Sequence, residues 1–155
     1  MKTTCGIFII SNCHLLLVHA TNAKANSWSI PKGIKSEFDV NDLDAALRET
    51  EEETGIDLIK HIKNIFEIVD LGSQIYKTGR KILHGYLVNI KNDITDIELK
   101  CESVFITKQN KEIPEIDKFK WIDLGNWDEF YKIHESQSVL YDRYINSLKK
   151  YYNIK

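Results

Sequence analysis

Three glutamates near position 50 carry the strongest chemical signal in this sequence. Glu49, Glu52 and Glu53 stand at i, i+3 and i+4, so on a helix they share one face within a single turn. Leu43 to Thr54 has the matching periodicity. At 100° per residue Leu43, Ala46, Leu47, Thr50 and Thr54 form one stripe, predicted to pack on a core, with the glutamates on the opposite face. Ala45, one turn before Glu49, leaves room beside the carboxylates. Asn41 or Asp42 can cap the start of this helix, and Gly55 is placed to end it.

Carboxylates so close together repel. Two unit charges 4 Å apart cost about 4 kcal/mol at the effective dielectric near a protein surface. Arg48, one turn before Glu52, offsets part of this through an i, i+4 pair. A hard divalent cation would offset the rest, because it prefers oxygen ligands and keeps positions open for phosphate and water. The plain alternative is a solvated acidic helix face.

The longer stretch decides between them. Residues 31–55 read PKGIKSEFDVNDLDAALRETEEETG. This resembles the signature of the Nudix hydrolases, G-x5-E-x7-R-E-U-x-E-E-x-G-U, where U is aliphatic. Gly33 matches the first glycine and the run from Arg48 to Ile56 matches the second half, with Thr50 where an aliphatic residue is usual. The spacing from Gly33 to Arg48 is one residue longer than the signature's. Counted back from Arg48, the first glutamate falls on Val40; counted forward from Gly33, it falls on Asp39. A one-residue insertion brings Asp39, or in second place Glu37, to that position.

The resemblance implies an α/β fold, an α/β/α sandwich around a mixed β-sheet with the signature as a catalytic loop–helix–loop. It implies hydrolysis of a nucleoside diphosphate linked to another group, with Mg2+, or Mn2+ in its place, as cofactor. Glu49, Glu52, Glu53 and Asp39 are the expected metal ligands. Glu52, Glu49 or Glu115 is the expected general base, Arg48 orients the glutamates, and Lys32 and Gly33 meet the substrate. Glu115 enters because PEIDKFKWIDL places it six residues before Trp121, similar to the E-x5-W strand of members acting on diadenosine polyphosphates. WSIPKG, KILHGYLV and Gln137 are also similar to a bacterial branch of predicted nucleoside triphosphate pyrophosphohydrolases. The substrate expected first is a diadenosine polyphosphate or related nucleotide. The 5′-triphosphate end of RNA and a free (d)NTP come next, RNA being disfavoured by the lack of a basic stripe. A nucleotide-binding module without hydrolysis is the alternative of another class, and Val40 is the feature that speaks for it.

Other elements must position these residues. Thr4–Ile10 and Leu15–Ala20 read as a β-hairpin around Ser11 to His14, and Pro31 to Gly33 as a tight turn. Leu58–Val69, Ser73–Tyr76, Ile82–Ile90, Ile97–Ile106 and Asp117–Leu124 read as extended, with a turn at Thr78-Gly79. Helical spacing returns at Asn126–His134 and Ser136–Tyr151, and Lys149-Lys150 suits the last helix's C-terminal end. His84 reads as a packing residue. Trp28, Tyr76, Tyr86 and Phe105 read as core residues that could alternatively stack on a nucleobase.

With 155 residues, 43% hydrophobic and 28% charged, the chain is expected to form a single domain, 1–155. A net charge of -2 gives no footprint for nucleic acid or membrane binding. Cys5, Cys13 and Cys101 lack paired spacing, so free thiols in a reducing compartment are expected. No run is long enough to span a membrane and the N-terminus does not read as a signal peptide, which points to a cytoplasmic location.

Overall fold

The computed structural model describes residues 1–125 and 133–151; the helix expected over Asn126–His134 lies almost wholly outside them. The chain begins with β1 (Lys2–Ser11) and β2 (His14–Ala20). Their hairpin turns on Asn12 and Cys13, both at positive φ (48° and 59°), the twist that a two-residue turn between antiparallel strands requires. β3 (Lys32–Ile34) and the helix α1 (Asp42–Thr54) follow, then β4 (Ile65–Ile75) and β5 (Lys81–Ile90). β6 (Val104–Ile106) and β7 (Glu112–Pro114) form a small separate ribbon before β8 (Ile116–Asp123) and the helix α2 (Glu135–Tyr151).

The main sheet has the order β4-β5-β1-β2-β8, with β3 paired to β1. It is mixed: β1 and β5 run parallel from Lys2↔Lys81 to Ser11↔Ile90, and the other pairs are antiparallel. β1 is the axis. Its first half pairs with β3 (Thr4↔Ile34, Cys5↔Gly33, Gly6↔Lys32) and its far end with β2, so the two partners share one edge. Alternation along β1 serves both faces. Cys5, Ile7 and Ile9 join Ala45, Ala46 and Ile56 under α1, while Phe8 and Ile10 join Leu83, Leu87, Leu140 and Tyr141 under α2. Two cores sandwich one sheet, which is the expected α/β/α arrangement.

Three readings of the sequence need correction. The stretch expected as extended from Leu58 is turn and 3-10 helix up to Asn64, and the rest of it joins Ser73–Ile75 in one strand, β4, because a bulge near residue 70 absorbs the irregularity: Gly72 takes φ 79° and donates its N–H to Asp70 Oδ1 at 2.8 Å. Most of Ile97–Ile106 is not a strand; only Val104–Ile106 pairs, with β7. Gly33 is not in a tight turn but in β3, and its φ is not in the left-handed region. Among the described residues no helix is long and apolar enough to cross a membrane.

Candidate active site

Local chemistry fixes both ends of α1. Asn41 Oδ1 accepts from the Asp44 N–H at 2.8 Å, and Gly55, at φ 80°, donates its N–H to Glu51 O at 2.8 Å. The helix is rolled further than its apolar stripe suggests. Ala45 and Ala46 are fully buried, and Glu49 and Glu53 are buried with them, whereas Leu43 and Leu47 are only half-buried. The physical reason lies across the interface. β3 packs over the Glu49 side of the helix, and the missing side chain of Gly33 opens the space that the Glu49 carboxylate fills. A Cβ at position 33 would fall on that carboxylate.

Arg48 ties the surroundings together. Its Nε and Nη2 each donate at 2.9 Å to the two oxygens of Asp39, a bidentate pair, and Nη2 also reaches Ile34 O at 3.2 Å. Nη1 donates to Glu49 Oε1 at 3.0 Å and to both oxygens of Glu52 at 3.2 Å. Asp39 also accepts from the Ser36 N–H at 2.8 Å, and the Arg48 guanidinium holds its carboxyl well below the usual range. Thus the acid of the loop faces the arginine, not the glutamates' open side. Val40 is exposed and donates its N–H to Asp44 Oδ2 at 3.1 Å.

Glu53 accepts from the backbone N–H of Lys32 at 2.9 Å. Burial pushes the Glu53 carboxyl up to about 8, against the pull of that hydrogen bond and of the Lys32 charge; the negative charges of Glu49 and Glu115 push the same way as burial. Burial likewise raises Glu49. Burial lowers the Lys32 ammonium against the attraction of Glu53 and Glu49. Glu115 follows β7 in an exposed turn, accepts from Ser103 Oγ at 3.2 Å, and is close enough for its charge to be felt by both buried glutamates. The structure therefore brings together Glu49, Glu52, Glu53, Arg48, Asp39, Lys32 and Gly33, with Glu115 on the rim.

These donors suit a hard cation. Glu49 and Glu53 are buried carboxylates, and burial disfavours their charged forms unless positive charge or hydrogen-bond donors face them. As they stand, no three acidic, histidine or cysteine side chains among the described residues are close enough to grip one ion, and Arg48 Nη1 holds an oxygen of Glu49 as well as both oxygens of Glu52.

The sequence reading missed what lies beside this cluster. A cavity of about 530 Å³ opens at Lys32 and Gly33 and is lined by Lys77, Arg80 and Lys81 from the β4–β5 turn, with Thr4, Tyr76 and His134. The run KTGRK was legible as a basic turn, but nothing in the sequence said which element it would face. Of the four aromatic residues weighed for stacking, only Tyr76 lines this cavity, edge-on to His134 at 5.3 Å. Tyr86 stacks on His84 at 4.5 Å, and Trp28 lies against His19 with Lys120 Nζ 5.0 Å from its ring. His84 is satisfied on both nitrogens, by Asp42 and Asp70 at 2.7 Å each. Gln137, noted for its place in the sequence, is fully buried and accepts the Ile30 N–H at 2.9 Å, anchoring the segment that leads into Lys32.

A sequence profile described as the NUDIX domain matches residues 2–144. This chain belongs to the Nudix family. It is a Nudix hydrolase, in a family that acts on pyrophosphate bonds and generally uses divalent metals. The chain is 34% identical over 135 residues to an uncharacterized 17.7 kDa protein of Enterobacteria phage T4, covering 82% of this chain and 86% of that one. It is 35% identical over 98 residues to mRNA-decapping enzyme subunit 2 of Saccharomyces cerevisiae, covering 60% of this chain but only 10% of that one. A solved C. elegans Ap4A hydrolase binary complex shares the Nudix fold with a TM-score of 0.62 at 20% identity, covering 97% of this chain and 99% of that one. Free thiols accompany the fold: Cys5 is buried, which pushes it up to about 12, and neither Cys13 nor Cys101 is paired.

Proposed function

We propose that this Nudix hydrolase cleaves a diadenosine polyphosphate or a closely related nucleotide in a Mg2+-dependent reaction. The observation that carries the reading is the pair of buried carboxylates, Glu49 against Gly33 and Glu53 on the Lys32 N–H, beside a cavity that Lys32 and Gly33 line together with Lys77, Arg80 and Lys81. Glu49, Glu53 and, after leaving Arg48, Glu52 would hold the metal, which when bound neutralises charge developing on the pyrophosphate oxygens. Asp39 is assigned a positioning role, since both its oxygens are taken by Arg48. Water attacks one phosphorus of the bridge and its oxygen forms the new P–O bond while the bridging P–O bond breaks. The proton passes to a carboxylate, Glu52 or Glu115 being the groups with exposed oxygens beside the cluster. Lys32 meets a phosphate as a point charge. The size match to an Ap4A hydrolase supports the substrate, and the partial match to a decapping enzyme favours a second reading, an RNA 5′ end.

Product release should be measured with Mg2+ or Mn2+ on a panel of diadenosine tetraphosphate, (d)NTPs, ADP-ribose and 5′-triphosphate RNA, with Glu52→Gln beside the wild type. Turnover of the tetraphosphate that falls at least ~10²-fold in the variant supports the proposal. Turnover confined to the RNA replaces it with the second reading.

A further inference from the structure

Nothing described so far explains what keeps Glu115 beside the acidic cluster. Glu115 is exposed, and Glu49 and Glu53 both feel its negative charge. Like charges drive an untethered acid out into water. The register of the β6–β7 ribbon supplies a tether. Its pairs run Ile106↔Glu112, Phe105↔Ile113 and Val104↔Pro114. One step further Ser103 stands opposite Glu115, and its carbonyl accepts the Glu115 N–H at 3.0 Å. Side chains directly opposite one another share a face, so the Ser103 hydroxyl meets the carboxylate, 3.2 Å from Glu115 Oε2. An ionised carboxylate only accepts, which makes the hydroxyl the donor. Cys101 Sγ lies 3.4 Å from the same Oγ and donates to Ser103 O at 3.3 Å.

Ser103 is itself fixed to the signature helix. The last carbonyls of a helix have no partners within it. In α1 the Glu102 and Ser103 N–H groups donate to Glu52 O at 2.7 and 3.2 Å, and the Lys100 N–H donates to Thr54 O at 3.0 Å. Glu52, a proposed metal ligand, thus sets through its own carbonyl where Ser103 sits. The other leg of the ribbon is pinned separately. Thr21 donates its N–H to Glu115 O at 2.9 Å and its hydroxyl to Pro114 O at 2.6 Å. Two strands of three residues are too short to hold themselves rigid, and these bonds supply what they lack. The backbone closure is therefore complete without the Ser103 hydroxyl. What the hydroxyl adds is the direction of the Glu115 side chain. It occupies Oε2, and Oε1 has no hydrogen-bond partner among the described residues, whereas both oxygens of Glu52 accept from Arg48.

We infer that Ser103 is a positioning residue for the hydrolysis, its hydroxyl holding Glu115 at the acidic cluster with one oxygen left to take a proton. The inference rests on the proposed function and deepens it by naming the group that aims the carboxylate on the rim. In the step, an O–H bond of the attacking water breaks and its proton goes to Glu115 Oε1. The water oxygen bonds to phosphorus, and the bridging oxygen leaves with the electron pair of the broken P–O bond. Ser103 acts only through Glu115.

The test compares the full chain as wild type, Ser103→Ala, Ser103→Thr, Glu115→Ala and the double variant Ser103→Ala/Glu115→Ala. kcat and KM are measured with Mg2+ on whichever nucleotide the wild type turns over. Ser103→Ala should lower kcat about fivefold while KM stays within about twofold of wild type. Ser103→Thr, which keeps the hydroxyl, should restore kcat. The double variant should be no slower than Glu115→Ala alone, because both changes act through one carboxylate. Thermal unfolding of the same proteins gives a readout independent of turnover: the shifts of the two single variants should fail to add in the double. An unchanged kcat in Ser103→Ala overturns the inference, as do equally slow alanine and threonine variants, or full additivity in kcat or in unfolding. If the wild type turns over no nucleotide, the proposed function fails. The unfolding cycle then still decides whether Ser103 holds Glu115, and additive shifts overturn that as well.

Discussion

Gly33→Ala is the sharpest perturbation the structure offers, because it moves one proposed metal ligand, Glu49, and little else. Among the described residues Gly55, Gly72 and Gly79 adopt left-handed φ values, and Gly33 does not. Alanine therefore meets no backbone strain in β3, and by restricting the unfolded chain it adds slightly to stability. What it does meet is the Glu49 carboxylate, which occupies the place of the new methyl group. That methyl would lie 2.0 Å from the carboxylate carbon, so to restore van der Waals separation the carboxylate must retreat by about 1.5 Å. A displacement of that size costs a positioned catalytic group on the order of 10²-fold in rate, or about 2.7 kcal/mol of barrier.

Three measurements separate this from trivial damage. Thermal unfolding should shift by no more than a few degrees, since the retreat of Glu49 breaks its ion pair with Arg48 at 3.0 Å, and Arg48 is partly exposed. kcat/KM should fall about 10²-fold while the Mg2+ concentration needed for half-maximal rate rises. The double variant Gly33→Ala/Glu49→Gln should be no slower than Glu49→Gln alone, because both changes act through the same carboxylate. Activity within threefold of wild type, or full additivity in the double variant, would refute the argument that Gly33 is there to make room for Glu49.

Further outcomes follow from the same geometry. The Thr50 hydroxyl is fully buried with no hydrogen-bond partner, so Thr50→Val should raise stability by about 1 kcal/mol in urea unfolding without changing activity; a loss would show that the hydroxyl has a role in the core. Asp39→Asn should lower stability by about 2 kcal/mol, discounted for the partial exposure of Arg48, whereas Glu52→Gln should lower activity with stability nearly unchanged. The reverse pattern would make Asp39 a ligand. His19 faces Asp117 Oδ1 at 2.6 Å and Lys24 O at 2.9 Å, both acceptors; the Asp117 hydrogen bond, then the backbone one, raises its pKa. A raised folded value means its contribution is complete below about pH 6.5 and is lost as pH rises through the folded value. Urea midpoints of the wild type should therefore fall more steeply above pH 6.5 than those of His19→Gln, and parallel slopes would count against a charged His19.

How much of this was legible in the sequence depends on whether the information was local. The caps of α1 are local chemistry, and Asn41 and Gly55 act as their residue types require. The strands of the two-sided core were legible because Ile7, Phe8, Ile9 and Ile10 form one apolar run, the pattern of a strand buried on both faces. β4 was read as two pieces because Gly72 looks like an interruption until its bulge is seen to keep the pairing with β5. The roll of α1 could not be read at all. Hydrophobic periodicity assigns glutamates to solvent, and it cannot know that a glycine on another strand has opened a buried place for them. The same limit explains the basic turn: Lys77, Arg80 and Lys81 are ordinary surface residues until the parallel pairing of β1 with β5 brings them to the mouth held by Lys32 and Gly33. Both omissions have one physical origin. The glutamates and the basic turn come from segments distant in sequence, and what brings both near Lys32 and Gly33 is β1, through its pairing with β3 on one edge and β5 on the other.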